Sequence, residues 1–361
     1  MERLQYAVYL LLFVSLSICT LYLAREFLVP LALAGILSML FVKMCNRIER
    51  RGVNRGLSSL FAIMLFILSV SVLFVLLTWQ LKDFTDNIDE MKRHLTSAFQ
   101  SLKDWVDQKI GISSGKQEQM IKEQSQSGET NTGGMLFKFA SGTVDILVSS
   151  ILVIVYMYLF LFLRQRIKNF ILRVVPKRDS GRSEEILKQC TEVSQQYLGG
   201  LSAMIVLLWV LYSIGFSLVG VENAIFFAVI CGTLEIVPFV GNITGTAITV
   251  LAVVAQGSND KILSVIGVYL IVQFVQTYLI EPLVVGDQVN INPLFTIAAL
   301  VAGEQIWGIG GMILAIPLLG IVKIICDNVP SLQPYGYLIG TDKKSRKGLK
   351  EKMKGLRSKK S

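Results

Sequence analysis

Residues 57–81 read LSSLFAIMLFILSVSVLFVLLTWQL and carry no charged side chain. About 20 apolar residues wound as a helix cross the roughly 30 Å of hydrocarbon in a bilayer. The alternation of apolar and polar residues that marks a barrel strand is absent. The stretch therefore reads as a transmembrane helix. Further uncharged runs occupy 4–24, 27–42, 146–163, 198–221, 236–259 and 262–280. The whole chain has the matching composition: 53% of its 361 residues are hydrophobic and 17% are charged, against about 25% charged in soluble domains. A water-soluble fold needs a polar exterior that this sequence does not supply. The expected fold class is an all-α polytopic membrane protein of about eight transmembrane helices or helix hairpins.

The net charge of +9 reads as topology, with no nucleic-acid partner expected. Short loops rich in Lys and Arg stay in the cytoplasm. Lys43, Arg47, Arg50, Arg51 and Arg55 face one acid, Glu49, between the second and third runs. Residues 164–188 and the tail from Thr341 are also basic. All three are expected inside, as are both termini, with the tail as an anchor near anionic lipid. The first run reads as a retained helix rather than a cleaved signal, and the expected location is a bacterial cytoplasmic (inner) membrane.

Five regions follow. Residues 1–81 are N-terminal transmembrane helices. Residues 82–138 form an extracytoplasmic segment. Residues 139–197 hold a transmembrane helix and a basic cytoplasmic stretch. Residues 198–330 form the expected transport core, and 331–361 the basic tail. In the outer segment, Phe84, Ile88, Met91, Leu95, Phe99, Leu102 and Val106 recur at steps of three and four. That is an amphipathic helix with a coiled-coil-like seam, packed on lipid, on its own bundle or on a neighbouring protomer. Residues 111–134 lack periodicity and read as a flexible loop.

Apolar segments in the C-terminal half are interrupted. Segment 224–256 breaks around Gly232, Glu235, Pro238, Gly241 and Asn242; segment 289–322 breaks between Gly303 and Gly311. Each is either two short spans or a re-entrant hairpin. Parity makes the first begin and end outside and the second begin and end inside. One crossing plus one broken segment is thus repeated with inverted orientation, a recurring transporter arrangement that puts free backbone groups near the midplane.

Acids at membrane depth are expensive and face a protein interior or water. Glu235 lies beside Pro238, which frees a backbone carbonyl. It is either a binder of a cation or proton, or a structural acid bonded to backbone amides. Glu281 shares a helix face with Gln273, Gln276 and Thr277, a stripe that either lines a wet surface or bonds neighbouring helices. Pro282 is expected to stop that helix at Glu281. Asp145 reads as an interfacial residue and Glu304 as a water-exposed residue on the turn of the second break. The five cysteines show no metal or disulfide spacing. The only histidine, His94, is in the outer segment, and no phosphate-binding G-x-x-x-x-G-K-[ST] loop occurs. No catalytic residues, metal or cofactor are expected, and the chain does not read as an enzyme.

Three motifs carry a resemblance. They are Gly232-x-x-Glu235-x-x-Pro238-x-x-Gly241; Gln273 through Glu281-Pro282, then Gly286 and Asn292-Pro293; and Gly303 with Trp307-Gly308-x-x-Gly311-x-x-x-Ala315-Ile316-Pro317. With them, nearly the whole chain resembles the autoinducer-2 exporter (PerM-like permease) family. The resemblance implies a secondary transporter that moves small molecules or ions outward, and an oligomer, here a homo-oligomer. Family members are assigned to autoinducer-2 export and to sodium/proton exchange. The expected transport or ion-coupling residues are Glu235, Glu281, Gln273, Gln276, Thr277, Asn242 and Asn292. Their expected frame is Gly232, Pro238, Gly241, Pro282, Pro293, Gly308, Gly311 and Pro317. A sodium/proton antiporter, a passive channel and a membrane scaffold acting through the outer segment are the alternatives.

Overall fold

The computed structural model describes residues 2–85, 93, 97, 132–174, 180–237, 240–285 and 290–341. The outer seam beyond Thr85, most of the outer loop, His94, Pro238, Gly286 and the tail beyond Thr341 lie outside them, as does the side chain of Asp145. The helices, in order, are α1 (Glu2–Leu23), α2 (Arg25–Glu49), α3 (Arg55–Thr85), α4 (Thr132–Val174), α5 (Ser180–Val219), α6 (Ala224–Leu234), α7 (Val240–Ala255), α8 (Ile262–Val275), α9 (Pro293–Asn328) and α10 (Gln333–Ile339). A π-helical stretch, Gln276–Val285, continues α8. Among the described residues there is no β-strand, only the isolated bridge between Ile291 and Gly340. Among the described residues, seven helices are long and apolar enough to cross a membrane, and α6 and α7 are shorter apolar helices. The chain is an all-α polytopic membrane protein.

Large apolar side chains cover the outside of these helices: Leu11, Phe13, Phe61, Met64 and Phe74 are all exposed. Lipid is as apolar as leucine, so close packing and hydrogen bonds rather than burial hold such helices together. Small residues allow close approach at some buried positions, as at Ala34, Ser58, Ser59 and Ala62, while Tyr212, Phe216 and Phe227 fill others. Thr132–Gly134, expected in the loop, already belong to α4.

The chain divides into two compact units. The first comprises Met1–Ser59, Tyr156–Gly200 and Val285–Ser361. In it Arg164 of α4 donates to Asn46 at 3.0 Å and pairs with Glu49 at 2.5 Å, tying down the end of α2. Gln195 of α5 donates to the carbonyl of Met39 at 2.6 Å. Helix α9 breaks at one residue, Gly308, with φ 62° and ψ −144°, a left-handed conformation that glycine tolerates. The limbs 293–307 and 309–328 then fold back on each other. A β-carbon on Gly303 would lie 2.6 Å from the carbonyl oxygen of Gly311, and one on Gly311 would overlap the oxygen of Gly303. In an unbroken helix these residues stand about 12 Å apart.

The tip of this hairpin is anchored. The Trp307 indole donates to the carbonyl of Leu21 at 3.0 Å. That carbonyl lies in the last turn of α1, where backbone acceptors lose their helical partners. A β-carbon on Gly310 would meet Val29 of α2 at 2.6 Å. The tip therefore sits at the α1–α2 turn, and the limb 309–328, about 30 Å long, has the reach of a full crossing. Glu304, expected on the turn, lies instead in the first limb, exposed, and accepts from Gln305 at 2.9 Å. One glycine suffices for the reversal, so the residues beside it stay helical.

The second unit comprises Leu60–Val155 and Leu201–Val284. Helices α6 and α7 form a hairpin in it. A β-carbon on Gly241 would overlap the carbonyl oxygen of Leu234, and one on Gly245 would lie 3.0 Å from the α-carbon of Cys231. With 11 residues, α6 is about 16 Å long, roughly half of a hydrocarbon core. Pro282 does not stop the helix after Glu281, as its sequence context suggested. The winding loosens to π over Gln276–Val285 instead. A proline clashes with the carbonyl four residues back, and a wider turn accommodates it.

Gly241→Ala and Gly311→Ala should each destabilise the protein by about 1–3 kcal/mol, because a backbone carbonyl occupies the space of the new methyl. Gly267→Ala, with open space around it, should leave the thermal midpoint in detergent unchanged. Trp307→Phe should cost about 0.5–1.5 kcal/mol, the worth of one hydrogen bond. It should also raise hydrogen exchange over 303–311 while leaving 240–255 as in the parent protein.

Candidate functional site

The last turn of α6 is held on several sides. Cys231 Sγ lies 3.4 Å from Thr249 Oγ1 of α7. Gly232 leaves room for Trp209 of α5: a β-carbon there would stand 2.5 Å from the indole Cδ1. The Trp209 Nε1–H donates to Thr233 Oγ1 at 3.2 Å, and Gly241 closes over the carbonyl of Leu234. The amides of Ile236 and Val237 then donate back to Thr233 and Leu234 at 3.2 and 3.0 Å, tightening the turn. Glu235 emerges from this clamped turn. The carbonyl end of α6 and the amide end of α7 flank it with opposed dipoles, so its side-chain partners decide its state.

Glu235 is 8% exposed and Gln276, the first residue of the π stretch, 4%. Gln276 Nε2 donates to Glu235 Oε1 at 2.7 Å. One turn earlier on the same helix, Gln273 Oε1 accepts from Asn242 Nδ2, and Gln273 Nε2 donates to Thr277 Oγ1 at 3.4 Å. One buried amide oxygen in each group, Gln276 Oε1 and Asn242 Oδ1, has no hydrogen-bond partner. The exposed Glu281, together with Tyr212, Tyr269 and Cys231, lies within electrostatic reach of Glu235. Among the described residues the ion pairs join Glu49 to Arg55 and Arg164, Glu184 to Lys168 and Asp327 to Lys323. None of them includes Glu235 or Glu281.

The structure thus brings five of the seven expected residues into two hydrogen-bonded groups on the same pair of elements, Glu235 with Gln276 and Asn242 with Gln273 and Thr277. Glu281 lies near the first. Asn292 belongs to the other unit, where its side chain accepts from the amide of Leu294 at 3.0 Å and caps α9, with Pro293 in the first turn. That is the favoured arrangement for a helix start. Of the frame residues, Gly232 and Gly241 shape the α6–α7 turn, Gly308 and Gly311 shape the α9 hairpin, and Pro317 is buried in α9. Pro282 lies within the π stretch. Trp209, Thr233 and Thr249 were not singled out in the sequence. The usable signal was Gly232, since a glycine inside a short helix suggests a close neighbour.

A buried carboxyl beside unpaired amide oxygens can take up a proton, a small cation or a hydrogen-bond donor of a passing solute. Comparison with known proteins agrees with a transport role. A family model described as AI-2E family transporter matches residues 11–331. The "Putative transport protein YueF" of Bacillus subtilis (strain 168) is 26% identical over 313 residues, covering 84% of each chain. The "Putative permease PerM" of Escherichia coli (strain K12) is 24% identical over 193 residues, covering 53% of this chain and 54% of that one. The "Putative transport protein YhhT" of the same strain is 19% identical over 322 residues, covering 89% and 90%. The chain is a multi-pass membrane protein that belongs to the AI-2E transporter family.

Proposed function

We propose that this protein is a secondary transporter that exports a small molecule or ion across a bacterial cytoplasmic membrane, coupled to a proton or sodium gradient. The observation that carries the reading is Glu235: a buried carboxyl at a helix break, bonded to Gln276 at 2.7 Å and joined to no base among the described ion pairs. Such a group is costly to leave charged and alone, so loading and unloading it gives the protein two states of different energy. Residues 198–330, with both broken segments, form the transport core in this reading, and the Gln273–Thr277 face supplies its polar lining. The basic loops support cytoplasmic termini. Autoinducer-2 is the cargo the family suggests, and a homo-oligomer the assembly. No step of this cycle requires covalent catalysis. Sodium/proton exchange is the second reading, favoured by the carboxylate oxygens of Glu235 and the unpaired amide oxygen of its partner Gln276.

The test is flux into proteoliposomes under an imposed pH or sodium gradient. Glu235→Gln should cut gradient-driven flux by at least about tenfold, as expected for a functional intramembrane acid, while the purified variant stays monodisperse. Glu281→Gln should weaken it as well. If both variants transport as the parent does, the coupling assignment is wrong. Flux that ignores either gradient would make the protein a passive channel.

A further inference from the structure

We infer that the α2–α3 turn and the adjoining end of α4 form a binding site for an anionic phospholipid, with Arg51, Arg55 and Arg166 around its phosphate and Leu57 and Phe162 against its acyl chains. These residues belong to the first unit, whereas Glu235 belongs to the second, and the inference does not depend on the transport reading. The first support is depth. The uncharged run of α3 starts at Leu57 and that of α4 ends at Leu163. The first charges beyond them are Arg55 on α3 and Arg164 and Arg166 on α4. The two helices meet at this level: a β-carbon on Gly56 would lie 3.7 Å from the Tyr158 hydroxyl and 3.8 Å from the Phe162 ring. Arg55 directly precedes Gly56, and Arg166 stands one turn beyond Phe162 on the same face of α4. Both therefore lie where hydrocarbon gives way to headgroups.

The second support is how the arginines are engaged. Arg164 is committed to the protein. It donates to the carbonyl of Leu161 at 2.9 Å and to Asn46 at 3.0 Å, pairs with Glu49 at 2.5 Å, and keeps 14% of its side chain exposed. Arg55 comes no nearer to Glu49 than 4.0 Å, and its side chain is 44% exposed. Arg51 and Arg166 are exposed and belong to none of the ion pairs among the described residues. Glu49 thus satisfies Arg164 and leaves the others with donors to spare. Sorting of basic loops to one side of a membrane makes no demand for arginine over lysine. Yet the basic residues here, Arg50, Arg51, Arg55, Arg164 and Arg166, are all arginine, whereas the tail from Thr341 has eight lysines and two arginines. The planar arginine fork matches phosphate oxygens two at a time, while lysine acts as a point charge. The third support is apolar surface beside the charges: Leu57 is 61% exposed and Phe162 40%. A soluble phosphate would use the charges alone. A lipid uses both, and basic sites between transmembrane helices suit anionic headgroups.

Lipid binding is measured on the full chain purified in a nonionic detergent. Phosphatidylglycerol is the probe, with phosphatidylcholine of the same acyl chains and glycerol phosphate as comparisons. Native mass spectrometry reads the bound fraction, and the thermal midpoint reads the stabilisation. The parent protein should bind phosphatidylglycerol saturably and gain a higher midpoint from it than from phosphatidylcholine, and glycerol phosphate should do neither. Arg55→Gln combined with Arg166→Gln should weaken binding by at least about tenfold, the worth of one charge-assisted hydrogen bond. Lys343→Gln combined with Lys344→Gln removes as much charge from the tail and should leave binding as in the parent. Arg55→Lys combined with Arg166→Lys keeps the charge and should still bind more weakly than the parent, which decides the matter where the glutamine pair does not purify as a monodisperse protein. Equal binding of the two lipids, glycerol phosphate bound as tightly as the lipid, parent-like binding by the glutamine pair, or an equal loss from the tail pair would overturn the site.

Discussion

Inside hydrocarbon a backbone amide or carbonyl finds no water to bond, so each must be satisfied within the protein. The rest of this structure follows from that constraint. It explains why the apolar runs are helices. It also sets the terms for every break. The α9 hairpin reverses at Gly308 alone, and its tip gives the indole of Trp307 to an end carbonyl of α1. The α6–α7 turn bonds its own amides back to Thr233 and Leu234. A chain that interrupts a helix at membrane depth has to supply such partners locally, and here glycines make the approach close enough to do so.

The two hairpins use the same device at different lengths. In each, a glycine pressed against a backbone carbonyl brings two limbs nearer than any side chain would permit: Gly241 over Leu234, and Gly311 over Gly303. The α9 hairpin has a limb of about 30 Å, while α6 is about half as long. The short limb ends at Glu235, which is buried. The π stretch after α8 supplies its partner, because the wider winding starts at Gln276. Irregular backbone and buried polar chemistry thus coincide in one unit, an association often met at functional sites.

The surroundings of Glu235 are unusual in their sign. The ion pairs described elsewhere in the chain hold their acids with Arg or Lys, as at Glu49 and Arg164. Glu235 has an amide donor and acidic neighbours instead. An arginine would fix the carboxylate as an ion pair, whereas a single amide donor brings no opposite charge to it.

The sequence by itself determined the solvent, the helical class, the positions of both breaks and most of the polar residues near the first. Apolar length and the absence of charge are local properties that survive any tertiary arrangement. The motif spacing was likewise enough to place the chain in its family. The sequence left open whether Glu235 is a binder of a cation or proton or a structural acid bonded to backbone amides, and it could not name its side-chain partner; it misjudged Pro282, because the penalty of a proline depends on whether the helix can widen around it. The partners that decided these points are distant in sequence: Gln276 lies 41 residues from Glu235, and Trp307 lies 286 from Leu21. No periodicity links such residues. Only packing chose them, by bringing glycine-lined backbones close enough that one amide and one indole became the nearest donors to otherwise unpaired oxygens.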